Sequence, residues 1–146
     1  MAHIHNEPGQ HDYTVGAYVV RLDQEEPKVL LHLHKKMQML LPIGGHIELD
    51  ETPWQAVLRE VQEESGYGAE QLKVLQPKQR ITSLSDIIVH PQPVVVSDQD
   101  VSSDHFHTDL GYAFVVQGDP SGVIGEGESD ELRWLTKSEL DKLMVA

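Results

Sequence analysis

Five ionisable residues in a short stretch, Glu51, Arg59, Glu60, Glu63 and Glu64, have types and spacings that could do chemistry. On a helix that starts at Pro53, a step of about 100° per residue places Glu63, Glu60 and Glu64 at roughly 280°, 340° and 20°. Trp54, Leu58 and Val61 fall on the adjoining sector, at about 80–140°, and make it apolar. Three carboxylates on one stripe repel one another at neutral pH unless a cation neutralises them. Hard oxygen donors of this kind suit Mg²⁺ or Mn²⁺. A solitary Glu-x-x-Glu-Glu is more often the solvated face of an amphipathic helix, so the flanking residues decide between the two readings. Ala56 lies on the same stripe one turn earlier, where a small side chain leaves room for a metal-bound phosphate. Gly44 and Gly45, just upstream, let the backbone approach a ligand closely where a side chain would interfere.

The flanking residues favour the metal site. Gly45, Glu51, Arg59, Glu60, Glu63, Glu64 and Gly66, with apolar Val61 and Tyr67 between and after them, resemble the Nudix box, G-x5-E-x7-R-E-U-x-E-E-x-G-U, at every specified position. Seven fixed identities at roughly 7% usage each coincide by chance on the order of once in 10⁸ starting points. The resemblance implies an α/β protein with the Nudix α/β/α sandwich and a mixed β-sheet, covering essentially the whole chain as one domain, residues 1–146. It also implies a hydrolase of phosphorus-containing acid anhydrides that cleaves a diphosphate linked to a nucleoside or other group, with Mg²⁺ or Mn²⁺ as cofactor. Glu60, Glu63 and Glu64 would hold the metal together with the backbone carbonyl of Gly44. Glu51 and Arg59 would form an ion pair that braces the glutamate helix. Asp50 stands where many members of the family have glycine; aspartate tolerates tight turns, so the departure leaves catalysis unchallenged.

The mechanism implied by the resemblance is attack of water on a phosphorus of the diphosphate, with no covalent enzyme intermediate. Water needs a base, and the family supplies it in more than one way. A box glutamate is the favoured source here; Glu126 and Glu128, in Gly-Glu-Gly-Glu-Ser, are the loop alternatives. The substrate could be a nucleoside triphosphate or a nucleotide-linked small molecule. A catalytically silent sensor that binds a nucleotide and leaves it whole is the alternative class, and the intact glutamate set argues against it.

Two histidine pairs invite a second metal reading: His32-x-His34 and His105-x-His107. Alternate residues on a strand share a face, so each pair could ligate. Neither lies in the box, and without a third clustered ligand a structural or substrate-facing role is favoured. Lys35 and Lys36 could meet a phosphate, though exposed loop lysines are usually only solvated.

The elements that must position these residues are legible in outline. Tyr13 to Arg21 and Lys28 to His34 read as two strands of a hairpin joined by the polar turn Asp23 to Pro27. Leu40 to Ile43 lead into the glycines, and His46 to Glu48 form a short extended segment. The helix opens at Thr52 with Pro53 at its first position and Gln55 closing a capping box, and stops where Gly66 permits a left-handed turn. Further strands are expected within Gln71 to Ile81, at His107 to Gln117 and at Glu131 to Leu135. Thr82 to Phe106 reads as a strand or two followed by an exposed loop over Ser97 to Asp104. Gly118 to Ser129 reads as a loop. Trp134 packs the core, and Thr136 to Met144 form a closing helix capped by Thr136 or Ser138.

Composition limits the partners. The 146 residues contain no cysteine, which excludes disulfides, thiol catalysis and cysteine-rich zinc sites. The formal net charge of −13 repels long nucleic acids, whose binders cluster lysine and arginine. A small anionic substrate remains compatible, because bound cations reverse the local potential. No stretch has the length of a membrane span, and the first residues lack the basic and apolar regions of a secretory signal, so a soluble cytoplasmic protein is expected. Charge favours solubility and leaves a homodimer open.

Overall fold

The computed structural model describes residues 11–128 and 131–144. The opening residues, where no secretory signal is expected, and Ser129, at the end of the expected loop, lie outside this range. The apolar run His11–Arg21 forms strand β1 and Lys28–His34 forms β2. They make the expected antiparallel hairpin, with Val20 opposite Val29. Alternation along β1 puts Val15, Ala17 and Val19 on one face, each no more than 1% exposed. Strand β3, Met39–Leu41, folds back on β2 through a turn in which Gln38 takes φ 53°, and Lys35 and Lys36 in that turn are exposed. Strand β4, Ile43–His46, pairs antiparallel with the front half of β1.

Helix α1, Pro53–Ser65, has the expected ends: Thr52 accepts from the Gln55 amide, Gln55 accepts from the Thr52 amide, and Gly66 closes at φ 83°. Both signals are local, so the sequence alone specifies them. A single 3₁₀ turn, Ala69–Gln71, leads to β5, Lys73–Val74. A two-stranded hairpin follows, β6 (Ser83–Leu84) with β7 (Ile87–Ile88).

The expected loop over Ser97 to Asp104 is mostly strand: β8 spans Val95–Ser102 and pairs antiparallel with β9, His105–Val116. Every residue of β8 is exposed, so no apolar alternation marks it in the sequence. The strand exists because β9 offers it an unpaired backbone edge. On its other side β9 runs parallel to β1 from His11 opposite Phe106 to Arg21 opposite Val116. After a loop come β10, Leu132–Thr136, and helix α2, Lys137–Met144. Thr136 caps α2, accepting from the Glu139 amide while its own amide donates to the Glu139 carboxylate.

The main sheet has eight strands with the path β10-β2-β1-β9-β5, β3, β4 and β8 adding to β2, β1 and β9. Among the described residues its one parallel pair, β1 with β9, makes it mixed, and with helices α1 and α2 the architecture is the α/β/α sandwich. Val57 and Val61 of α1 pack on Val15, Ala17, Val19 and Phe114, all almost fully buried. Trp54 adds ring contacts of 5.7 Å with Tyr112 and 5.8 Å with Phe114. Trp134 packs against the same cluster and meets Tyr67 edge-on at 6.2 Å.

Candidate active site

Helix α1 turns its glutamate stripe inward. Glu60 is 1% and Glu64 5% exposed, whereas the Glu63 side chain is 43% exposed. Ala56, on the same stripe, is completely buried in the apolar cluster. The expectation that it leaves room for a phosphate is therefore corrected: its small size lets the helix sit close to the sheet.

Arg59 braces this arrangement. Its Nη2 and Nε donate to the two oxygens of Glu51 at 2.6 and 3.1 Å, a two-pronged pair with fixed geometry. Nη1 donates to Glu60 at 3.0 Å and Glu63 at 3.3 Å, and Nη2 also donates to the His46 carbonyl at 3.1 Å. One guanidinium thus ties together the loop carrying Glu51, the end of β4 and two helix carboxylates. The same hydrogen bonds hold the Glu51 carboxyl below its usual range and raise Arg59.

Burial acts in the opposite direction on the helix acids. Glu64 is pushed up to about 9, first by loss of solvent, then by its shared hydrogen bond with Glu60 and by the charges of Glu60 and Glu128; the Gly44 amide, donating to it, opposes the shift. Glu60 is also raised, chiefly by burial, against the pull of Arg59. With both groups ionised, Oε2 of each is buried without a hydrogen-bond donor among the described residues. Such oxygens call for a proton or a cation.

Gly44 sits at the mouth of this cluster for a steric reason. A β-carbon there would come within 2.2 Å of the Val15 carbonyl oxygen, which is fixed by strand pairing, so only glycine fits. Two further residues reach the cluster. His32 Nε2 lies 3.5 Å from Glu64 Oε2, and burial, with a contribution from His34, lowers its proton affinity. The sequence pairs His32 only with His34; the pairing of β2 with its neighbours turns it toward α1, which no local pattern encodes. Glu128 arrives through its loop: the Gly125 amide donates to the Glu63 carbonyl at 2.7 Å and the Gly122 amide to the Gly66 carbonyl at 2.8 Å. The glycines thereby dock the loop on the last turn of α1, where helix carbonyls need donors. Glu126, in the same loop, is exposed.

A Nudix-domain family model matches residues 12–146. No curated protein matches at a significant level. Among solved structures, a hydrolase of the Nudix family from Clostridium perfringens aligns at 34% identity and TM-score 0.74, over 90% of this chain and 85% of that one. The Ap4A hydrolase of C. elegans aligns at 16% identity and TM-score 0.67, over 91% and 86%. The Nudix domain of Shewanella oneidensis NrtR, in complex with ADP ribose, aligns at 15% identity and TM-score 0.65, over 91% and 77%. With its complete box on the expected helix and a family match over nearly its whole length, the chain belongs to the Nudix family and is a hydrolase of the pyrophosphatase class.

Proposed function

We propose that the chain is a cytoplasmic, metal-dependent pyrophosphohydrolase that cleaves the diphosphate of a nucleotide or nucleotide-linked small molecule. The observation that carries this reading is the buried pair Glu60 and Glu64, whose Oε2 atoms have no donor among the described residues once both carboxyls are ionised, with the more exposed Glu63 at the solvent side. Residues of this donor type, all-oxygen and anionic, fit Mg²⁺ or Mn²⁺. Glu60, Glu63 and Glu64 would hold the cation, assisted by the backbone of Gly44. The bound cation would offset charge on the diphosphate oxygens.

The protein's own residues divide the remaining work. Arg59 and Glu51 keep the helix and the preceding loop in register, so they position the carboxylates. We assign proton acceptance from the attacking water to Glu128, in preference to the box glutamate that the sequence favours, because its loop is docked on the last turn of α1. Relatives of the fold that act on or bind Ap4A and ADP ribose support a nucleotide-linked substrate.

The test is a phosphate-release screen over nucleoside triphosphates, ADP-ribose, NADH, dinucleoside polyphosphates and nucleotide sugars, with and without Mg²⁺ or Mn²⁺. Chelator should abolish turnover, and Glu60→Gln or Glu64→Gln should lower it by at least about 100-fold. Full activity in chelator would overturn the metal reading. Binding without cleavage across the panel would make the protein a sensor.

A further inference from the structure

A second cluster of ligating side chains stands outside the glutamate site. Asp12 and His107 face each other across the parallel pair β1–β9, and His105, two residues before His107, shares its face. His46, opposite Thr14 on β4, joins the same face from the other side of β1. Strands β4 and β9 thus converge on Asp12 of β1, which is 1% exposed, with the His46 and His105 side chains 8% and 10% exposed.

The distances suit a metal. Asp12 Oδ2 lies 3.4 Å from His46 Nε2 and 3.5 Å from His105 Nε2. Ligands about 2.0–2.1 Å from a tetrahedral ion stand roughly 3.4 Å apart. One ligand atom from each of Asp12, His105 and His107 lies within 4.8 Å of the others, and the His107 ring is centred 4.9 Å from that of His46 and 5.2 Å from that of His105. The donor set, two imidazoles and one carboxylate with a third imidazole alongside, is the borderline-soft kind that prefers zinc and its neighbours over magnesium. The three ligand atoms that stand together come from the adjoining strands β1 and β9, with His46 Nε2 beside Asp12.

We propose that Asp12, His105 and His107, with His46 beside Asp12, form a site for a divalent transition metal of the zinc class, distinct from the glutamate site. The ion would clip the starts of β1 and β9 to the end of β4. Since the His46 carbonyl accepts from Arg59, the clip anchors the strand end from which the Glu51 loop departs.

The experiment uses the full chain, stripped with chelator and saturated with Mg²⁺ to occupy the carboxylates, then given Zn²⁺ and desalted. About one zinc per chain should be retained, and His105→Gln with His107→Gln should abolish retention. Glu60→Gln, Glu63→Gln and Glu64→Gln together should leave it intact. In unsubstituted protein, Zn²⁺ should shift the imidazole ¹⁵N resonances of His46, His105 and His107 and leave exposed His90 unmoved, a readout that holds even where a variant fails to fold. No retained zinc, or shifts absent from those three rings, would overturn the proposal and make the cluster a metal-free histidine–aspartate network.

Discussion

Replacing Glu64 by glutamine should stabilise the metal-free protein at neutral pH, although it removes a residue assigned to the active site. In the fold this carboxyl keeps its proton up to about pH 9, whereas its ordinary value is 4.5. Between those values the unfolded chain binds fewer protons than the folded one, so stability falls as pH rises. At pH 7 the penalty covers about 2.5 pH units, which at about 1.4 kcal/mol per unit is roughly 3 kcal/mol. Glutamine resembles the protonated acid in shape and can donate to Glu60 in its place, so it escapes this penalty. For a domain of this size the gain corresponds to a melting-point rise on the order of 6–12 °C. Thermal melts in chelator at pH 5 and pH 7 measure it: the variant should exceed the wild type clearly at pH 7 and by little at pH 5. Saturating Mg²⁺ should then raise the wild type more than the variant, since a cation that binds only the folded site shifts the equilibrium by mass action. A Glu64→Gln protein less stable than wild type at pH 7 in chelator, or a gain equally large at both pH values, would refute the reasoning.

Arg59→Ala should cost about 2–3 kcal/mol in denaturant melts, because it leaves Glu51 without its two-pronged partner; Arg59→Lys should recover only part of that loss, since a point charge cannot reproduce the fork. The Glu51 pairing has its own pH signature: its lowered pKa contributes stability above the unfolded carboxyl range that disappears as pH falls through the folded value, and Glu51→Gln should flatten the acid limb of a pH–melting curve. Glu128→Gln should reduce turnover by roughly 10² to 10⁴ while metal affinity measured on the same sample stays unchanged, and Glu126→Gln should do little. Near-normal turnover in Glu128→Gln would return the proton transfer to the helix carboxylates.

What the sequence made legible was what short-range chemistry decides. Thr52, Pro53, Gln55 and Gly66 specify both ends of α1 within a few residues, and the box spacing specifies which side chains share its face. Ala56 differs from expectation because the wheel shows which residues share a stripe but not which stripe the sheet covers; burial of Glu60 and Glu64 is a decision of tertiary packing. Strand β8 escaped notice because a polar strand with both faces in solvent has no period to read. The docking of the Gly122–Glu128 loop is not legible either, since its amides are held by carbonyls at the end of α1, far away along the chain. Asp12, His46, His105 and His107 lie far apart along the chain, and only the strand register brings them together.

The parallel pairing of β1 with β9 has a consequence for how the chain is made. Residue 11 finds its partner at residue 106, so a ribosome must deliver most of the polypeptide before the centre of the sheet can close. At about 5–20 residues per second, β1 emerges several seconds ahead of β9. Closing so long a loop is entropically slow compared with forming the β1–β2 hairpin or α1. Until that closure, the apolar face of β1 is open to other chains. The nascent protein is thus most exposed to misassociation in the interval between synthesis of its first and last long strands, and a truncation within β9 would leave that interval without an end.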